Sequence, residues 1–434
     1  MTVINHYTQT VTVTTETESP PPSLLRDRNF LTFWAGQAIS QLGTQLGHLA
    51  LPVIAVLLLG ASEFEVGVLN ASGTAAFLLV GLPAGAWVDR WLKRRVMIGA
   101  DVVRMVAMLA IPLLWWLDVL TIWHLCLVAG VVGIATVFFD VAYQSYVPVL
   151  VAGDQVPSAN SKLESTAQIS RLGGPAVGGG LLQLVSAPLL VVGQSAGYLL
   201  SAVFLVRTRD QEQRSPVADR RPLAVEIKEG LSFVWRHPLI RRVAACTAGV
   251  NFFASLLFTL LPLLILRDLD LGAAALGLIL SVAAVGGLAG ALATPWIAAR
   301  IGEGTVIPLA SLASSAFLML VPLAALAPSK PAALVLLIVG EAGMTFCVLT
   351  YNIMQVSMRQ RVCPPKLLGR MNASIRFVVW GVMPIAGILA GVLGEQLGIL
   401  PTMWIGVAGT LVATIPVLGG GFWGMKKLPD KVAQ

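Results

Sequence analysis

Two apolar runs, each about 20 residues long and so able to cross a bilayer, are joined by Gly85-Ala-Trp-Val-Asp89-Arg90-Trp-Leu-Lys93-Arg94-Arg95. Five charges fall within seven residues of this segment, and four of them are cationic. A short cationic loop between two such runs marks the cytoplasmic side of a membrane. The rest of the chain agrees: 56% of its 434 residues are hydrophobic and only 12% are charged. A soluble domain carries roughly 25% charged residues. The net charge of +7 does not imply nucleic-acid binding, because the cations sit in short segments between apolar runs. The four cysteines, Cys126, Cys246, Cys347 and Cys363, show neither metal-site spacing nor a disulfide framework. Neither a metal nor a cofactor is expected.

The apolar runs predict an all-α integral membrane protein of twelve spans: 30–59, 66–88, 95–117, 122–147, 160–185, 187–206, 242–265, 273–297, 304–326, 332–356, 369–394 and 401–423. Twelve spans leave both termini on one side. With the termini inside, 24 of the 29 Lys and Arg residues fall on the inner side. Arg267 and Lys330 lie outside, and Arg104, Arg171 and Arg376 are embedded. This asymmetry sets the orientation. The expected organisation is a disordered cytoplasmic tail at 1–29, a six-helix bundle at 30–206, a linker at 207–241, a second bundle at 242–423 and a tail at 424–434. The first tail is rich in Thr and Glu, contains Pro20-Pro21-Pro22 and lacks the apolar core of a signal peptide. Within the linker, Leu223 to Trp235 interleaves apolar and charged residues, which predicts a helix lying on the inner membrane surface. The two bundles echo one another. Tyr143, Asn160 and Pro175 recur as Tyr351, Asn372 and Pro384 at separations of 208, 212 and 209, and Trp87 recurs as Trp296, again 209 apart. Parallel six-span repeats are the build of a secondary transporter with a substrate site between its halves.

These residues resemble the major facilitator superfamily. Gly85-x-x-x-Asp89-Arg90 followed by Lys93-Arg94 is similar to its signature loop between spans two and three, although Leu92 stands where glycine is usual. Gly174-Pro175-Ala-Val-Gly178-Gly179 is similar to the antiporter motif of drug exporters. The stretches Phe138-Phe139-Asp140-Val-Ala-Tyr143-Gln-Ser-Tyr146-Val-Pro148 and Asn372-Ala-Ser-Ile-Arg376-Phe-Val-Val-Trp380-Gly resemble the drug:proton antiporters that export macrolides and enterobactin. Span four lacks the arginine motif of other drug-exporter subfamilies, which fits this one. The resemblance implies an exporter, a sealing role for the Gly-Pro segment, and Arg376 and Trp380 among the cavity-lining residues.

An embedded charge costs about 2.5–3.5 kcal/mol at mid-bilayer, so each one needs a reason. Glu341, in span ten, shares a helical face with Thr345, Asn352 and Gln355. This pattern suits a wet cavity wall and a carboxyl that binds and releases a proton, or a carboxyl locked to a neighbouring hydroxyl. Span one carries Gln37, Gln41, Thr44, Gln45 and His48 on one stripe. His48 either lines the cavity or shares the proton. In span seven, Asn251 and Ser255 continue the pattern of Thr247 and Thr259 beside Phe252, Phe253 and Phe258, a setting that suits a bulky amphiphile. Asp101 and Arg104 are three residues apart and can pair. With Asp140 they form a candidate inner gate, in which acids on spans three and four latch Arg90, Lys93 and Arg94. The alternative is a static lattice that only fixes topology. Glu164, Gln168 and Arg171 share one face in span five.

The predicted function is a proton-driven exporter of an amphiphilic small molecule, acting by alternating access in the plasma membrane, with protons and the bilayer as its other partners and a monomer as its functional state. An importer or uniporter on the same fold is the second reading, and a non-transporting sensor or assembly partner the third. No Gly-x-x-x-x-Gly-Lys-Ser/Thr loop is present, so ATP-driven transport is not expected. No catalytic residues are expected.

Overall fold

The computed structural model describes residues 24–427 apart from 89, 152–154, 210–211, 213–222, 365–366 and 420. Among the described residues the chain is all-helical, and ten helices are long and apolar enough to cross a membrane. The chain is therefore a multi-pass membrane protein. Its helices are α1 (Arg28–Val53), α2 (Glu63–Leu79), α3 (Gly81–Val88), α4 (Lys93–Trp116), α5 (Ile122–Leu150), α6 (Val156–Leu181), α7 (Ala187–Arg207), α8 (Leu223–Arg236), α9 (Pro238–Leu263), α10 (Gly272–Ile301), α11 (Glu303–Leu318), α12 (Leu320–Ala324), α13 (Lys330–Val362), α14 (Leu368–Gly381), α15 (Met383–Leu397) and α16 (Ile399–Leu418).

Two predicted spans differ from the ten. The run 66–88 is interrupted at Val80, so α2 and α3 are each shorter than a bilayer-crossing helix. Helix α6 has the length, but Lys162, Glu164, Gln168 and Arg171 make it polar. The tail predicted to end at residue 29 gives way earlier. Leu24 is buried, and Asp27 caps α1, its Oδ1 accepting from Asn29 N at 2.8 Å; residues 1–23 lie outside the described residues. The amphipathic Leu223–Trp235 run is helix α8, packed against α14 and α9. Most of the polar linker before it lies outside the described residues.

Small residues set the packing. Helix α1 lies against α7, where Gly43 approaches Gln194 Cα and Gly197 approaches the Ile39 carbonyl. Two further seams join the early helices to the late ones. A Cβ on Gly67 of α2 would sit 2.6 Å from the Gly387 carbonyl of α15, and one on Gly277 of α10 would sit 2.4 Å from the Pro175 carbonyl of α6. Only glycine permits backbones to approach this closely. Both seams lie toward the end of the bundle opposite the Arg90–Arg95 segment. That segment's end is called here the basic face, and the other the far face. On the far face Arg267 pairs with Glu63, linking the end of α9 to the start of α2. A π-helical turn closes both α1 (Ile54–Leu58) and α9 (Leu264–Asp268).

Candidate functional site

The early helices hold a buried charge centre. Asp101 and Arg104, on α4, form an ion pair from which solvent is almost excluded. The Arg104 guanidinium lies 4.1 Å from the ring centre of Phe139 and 4.4 Å from that of Tyr198, so two aromatic faces supplement the single carboxylate. Asp140, one residue beyond Phe139, is half-buried. The charges that reach it are Arg104 on its own side and Arg376 on α14. Ring contacts support this proximity. Trp380, one turn after Arg376, packs on Phe77 at 4.9 Å, and Phe77 shares a small apolar cluster with Phe138.

The expected inner gate set Asp101 and Asp140 against Arg90, Lys93 and Arg94. The charges of Arg104 and Arg376 act on Asp140. The Lys93 backbone N–H and Nζ donate to Glu212 of the linker at 2.8 and 2.7 Å. Arg94 Nε and Nη2 donate to the carbonyls of Leu205 and Val206 at 2.8 and 2.7 Å. Those carbonyls end α7 and have no partner within their own helix, so a guanidinium is a natural cap for them. Arg90 is exposed, Gly85 lies within α3, and Asp89 lies outside the described residues.

The antiporter segment has two faces. Gly174 and Gly178 turn to α1, against Gln45 and against Leu46 and Leu49, while Pro175 and Gly179 turn to Gly277 of α10. The polar stripe of α1 is correspondingly divided. Thr44 Oγ1 donates to the Ser40 carbonyl at 2.9 Å and lies 3.5 Å from Tyr198 Oη. Gln45 packs under Gly174. His48 is exposed, within electrostatic range of Arg171. Gln41 is half-buried, and Gln37 is buried with Nε2 unbonded among the described residues.

The late helices hold a different centre. Glu341 lies near the middle of α13 with 3% of its surface exposed, and its Oε1 has no hydrogen-bond partner among the described residues. Thr345 Oγ1 donates to the Glu341 backbone carbonyl at 2.7 Å and leaves the carboxyl untouched. Ten residues further along α13, about 15 Å of helix from Glu341, Tyr351 Oη lies 2.8 Å from Thr247 Oγ1, and Cys246 lies 3.5 Å from Ser311. Asn251 Nδ2 donates to the Val379 carbonyl at 3.3 Å, and Gln355 Nε2 to Asn352 Oδ1 at 3.2 Å. Ser255 is buried on α9. Arg376 and Trp380 are exposed on α14. The sequence reading placed Arg359 among the loop cations. It is buried in the last turns of α13, with its Nε unbonded among the described residues. The apolar spacing Met354, Met358, Val362 is the signal that carries the helix past residue 356.

Membrane-length helices joined by glycine seams, with ionisable side chains buried between them, define a multi-pass transporter. The family model for transmembrane secretion effectors of the major facilitator superfamily matches residues 19–420, and the chain belongs to that family. This is a family of transporters rather than enzymes. Macrolide efflux protein A of Streptococcus pyogenes is 22% identical, over 90% of this chain and 94% of its own length. The multidrug efflux pump Tap of Mycolicibacterium fortuitum is 24% identical, over 81% and 88%. The fold is that of a bacterial homologue of the iron transporter ferroportin in its inward-facing state, with a TM-score of 0.73, 16% identity and coverage of 92% and 99%. An outward-facing ferroportin homologue superposes with a TM-score of 0.57 at 15% identity, over 90% and 99%.

Proposed function

We propose that the chain is a proton-driven exporter of an amphiphilic small molecule. It works by alternating access, as a monomer, in the plasma membrane, with twelve spans in two pseudo-symmetric halves and both termini cytoplasmic. Glu341 carries the coupling reading. A carboxyl buried without a counter-charge is expensive, and within this setting a proton is the agent that removes its charge. Asp140 is the second coupling candidate, because it lies between Arg104 of its own half and Arg376 of the other half. The closed far-face seams and the better superposition on an inward-facing fold support a state open toward the basic face. Two relatives named for efflux support the direction of transport, and the matching π-helical turns support the repeat.

The test is transport in proteoliposomes under an imposed pH gradient, with a macrolide as the cargo probe. Glu341→Gln should abolish gradient-driven movement while leaving binding and fold intact. Full transport in this variant would refute the coupling role, and uptake in the direction of the protons would replace export by import.

A further inference from the structure

A recess lies on the basic face, at the junction of α8 and α9. Glu229, Ser232, Phe233 and Arg236 of α8 line it, together with His237, Pro238 and Leu367, and its volume is about 630 Å³. Its acid is already engaged, since Glu229 pairs with Arg370 of α14. The charge that remains at its rim is cationic: Arg236 is exposed, and Arg241 follows on the first turn of α9, also exposed. The floor is apolar, formed by Phe233, Pro238 and Leu367. His237 closes the recess. Its Nδ1 accepts from the Ile240 backbone N–H at 3.4 Å, so the imidazole proton is on Nε2, available as a donor. Burial lowers the His237 pKa, which favours this neutral donor form. On the same helix Leu231 and Trp235, four residues apart, are exposed, with 72% of Trp235 uncovered. An exposed tryptophan beside arginines on an amphipathic helix is the pattern of a helix resting at the headgroup level of a bilayer.

We infer that this recess binds the headgroup of an anionic phospholipid, with its phosphate at Arg236 and His237 and its glycerol and upper acyl chain over Phe233, Pro238 and Leu367. The apolar floor next to a cationic rim selects a lipid over a soluble anion, and Leu231 and Trp235 make the recess continuous with the membrane. The lipid bridges the connecting helix α8, the start of α9 and the start of α14.

The experiment uses the full chain in vesicles containing trace photoreactive phosphatidylglycerol or photoreactive phosphatidylcholine, with adducts mapped by mass spectrometry. Phosphatidylglycerol should label peptides containing Phe233 and Leu367 several-fold more than phosphatidylcholine does. Arg236→Gln should lower that labelling about fivefold, the worth of one cation at an anionic surface. Ser232→Trp, which fills the recess, should remove it while the thermal transition is retained. Inorganic phosphate at millimolar concentration should not compete. Equal labelling by the two lipids, labelling indifferent to both variants, or displacement by inorganic phosphate would each overturn the assignment.

Discussion

The early helix α4 and the late helix α13 handle buried charge differently. In α4 the carboxylate of Asp101 is matched within one helical turn by Arg104, and the guanidinium is further covered by Phe139 and Tyr198. In α13 Glu341 has no cation beside it and Oε1 is unbonded among the described residues, although it is buried almost as deeply. The first is compensated in charge, and its contacts with Phe139 and Tyr198 tie α4 to α5 and α7, although Asp101 Oδ2 and Arg104 Nε are themselves unbonded among the described residues. The second has no counter-charge beside it among the described residues, and in the function proposed above a proton fills that role. Charge number alone does not distinguish them; the presence of a partner one turn away does.

Removing one member of the buried pair should have the largest effect on stability. Asp101→Ala leaves Arg104 buried without its ion-pair partner, a loss of up to about 3–5 kcal/mol, visible as a large fall in the thermal transition of the purified protein. Glu341→Gln should leave that transition unchanged or raise it, because an amide needs no counter-charge in an apolar setting. If the two variants melted alike, the distinction between a structural and a working carboxyl would collapse.

The seams between early and late helices sharpen the comparison at the next level. A side chain at Gly277 meets the backbone of Pro175 and Gly179, which cannot rotate away. Gly277→Val should cost roughly 1–3 kcal/mol, with its main effect on function: the far-face seam cannot seal, and single cysteines lining it become more reactive to a polar thiol reagent added from the far side. Gly180, on α6 next to Gly179, has open space where a Cβ would go. Gly180→Val should therefore leave labelling as it was. Equal effects at the two positions would remove the seam from the mechanism.

How much was legible in the sequence follows from the same physics. The long helices were readable because bilayer-length apolar runs leave few alternatives. The break at Val80 was missed although Gly81 and Pro83 follow it directly, because the apolar run continues through them to Val88. The pairing of Asp101 with Arg104 was readable from a three-residue spacing. The tasks of Lys93 and Arg94 were not: Arg94 donates to backbone carbonyls 111 and 112 residues away, and a carbonyl carries no residue signature. The influence of Arg376 on Asp140 was not readable, since Arg376 comes near only when α14 packs beside α2. Arg359 fell outside because the predicted span ended at residue 356, although the apolar spacing of α13 continues to Val362.

The smallest effect belongs to a pair that is neither buried nor mobile. On the far face Lys330 Nζ donates to Asp270 Oδ2 at 2.8 Å and to the Asp270 carbonyl at 2.7 Å. Both side chains are well exposed, and the lysine holds the Asp270 pKa below its ordinary value of 3.8. A carboxyl whose pKa is lower in the folded state contributes its stabilisation above the unfolded value and loses it as pH falls through the folded one. The pair should therefore act at full strength at neutral pH and fade only in strong acid, below about 3.8. Being solvated, it should matter little at any pH. Asp270→Asn should shift the thermal transition only slightly at pH 7, less still in strong acid, and the shift should shrink as salt is added. A loss as large as that of Asp101→Ala would mean that the weight of the Asp101–Arg104 pair does not arise from burial.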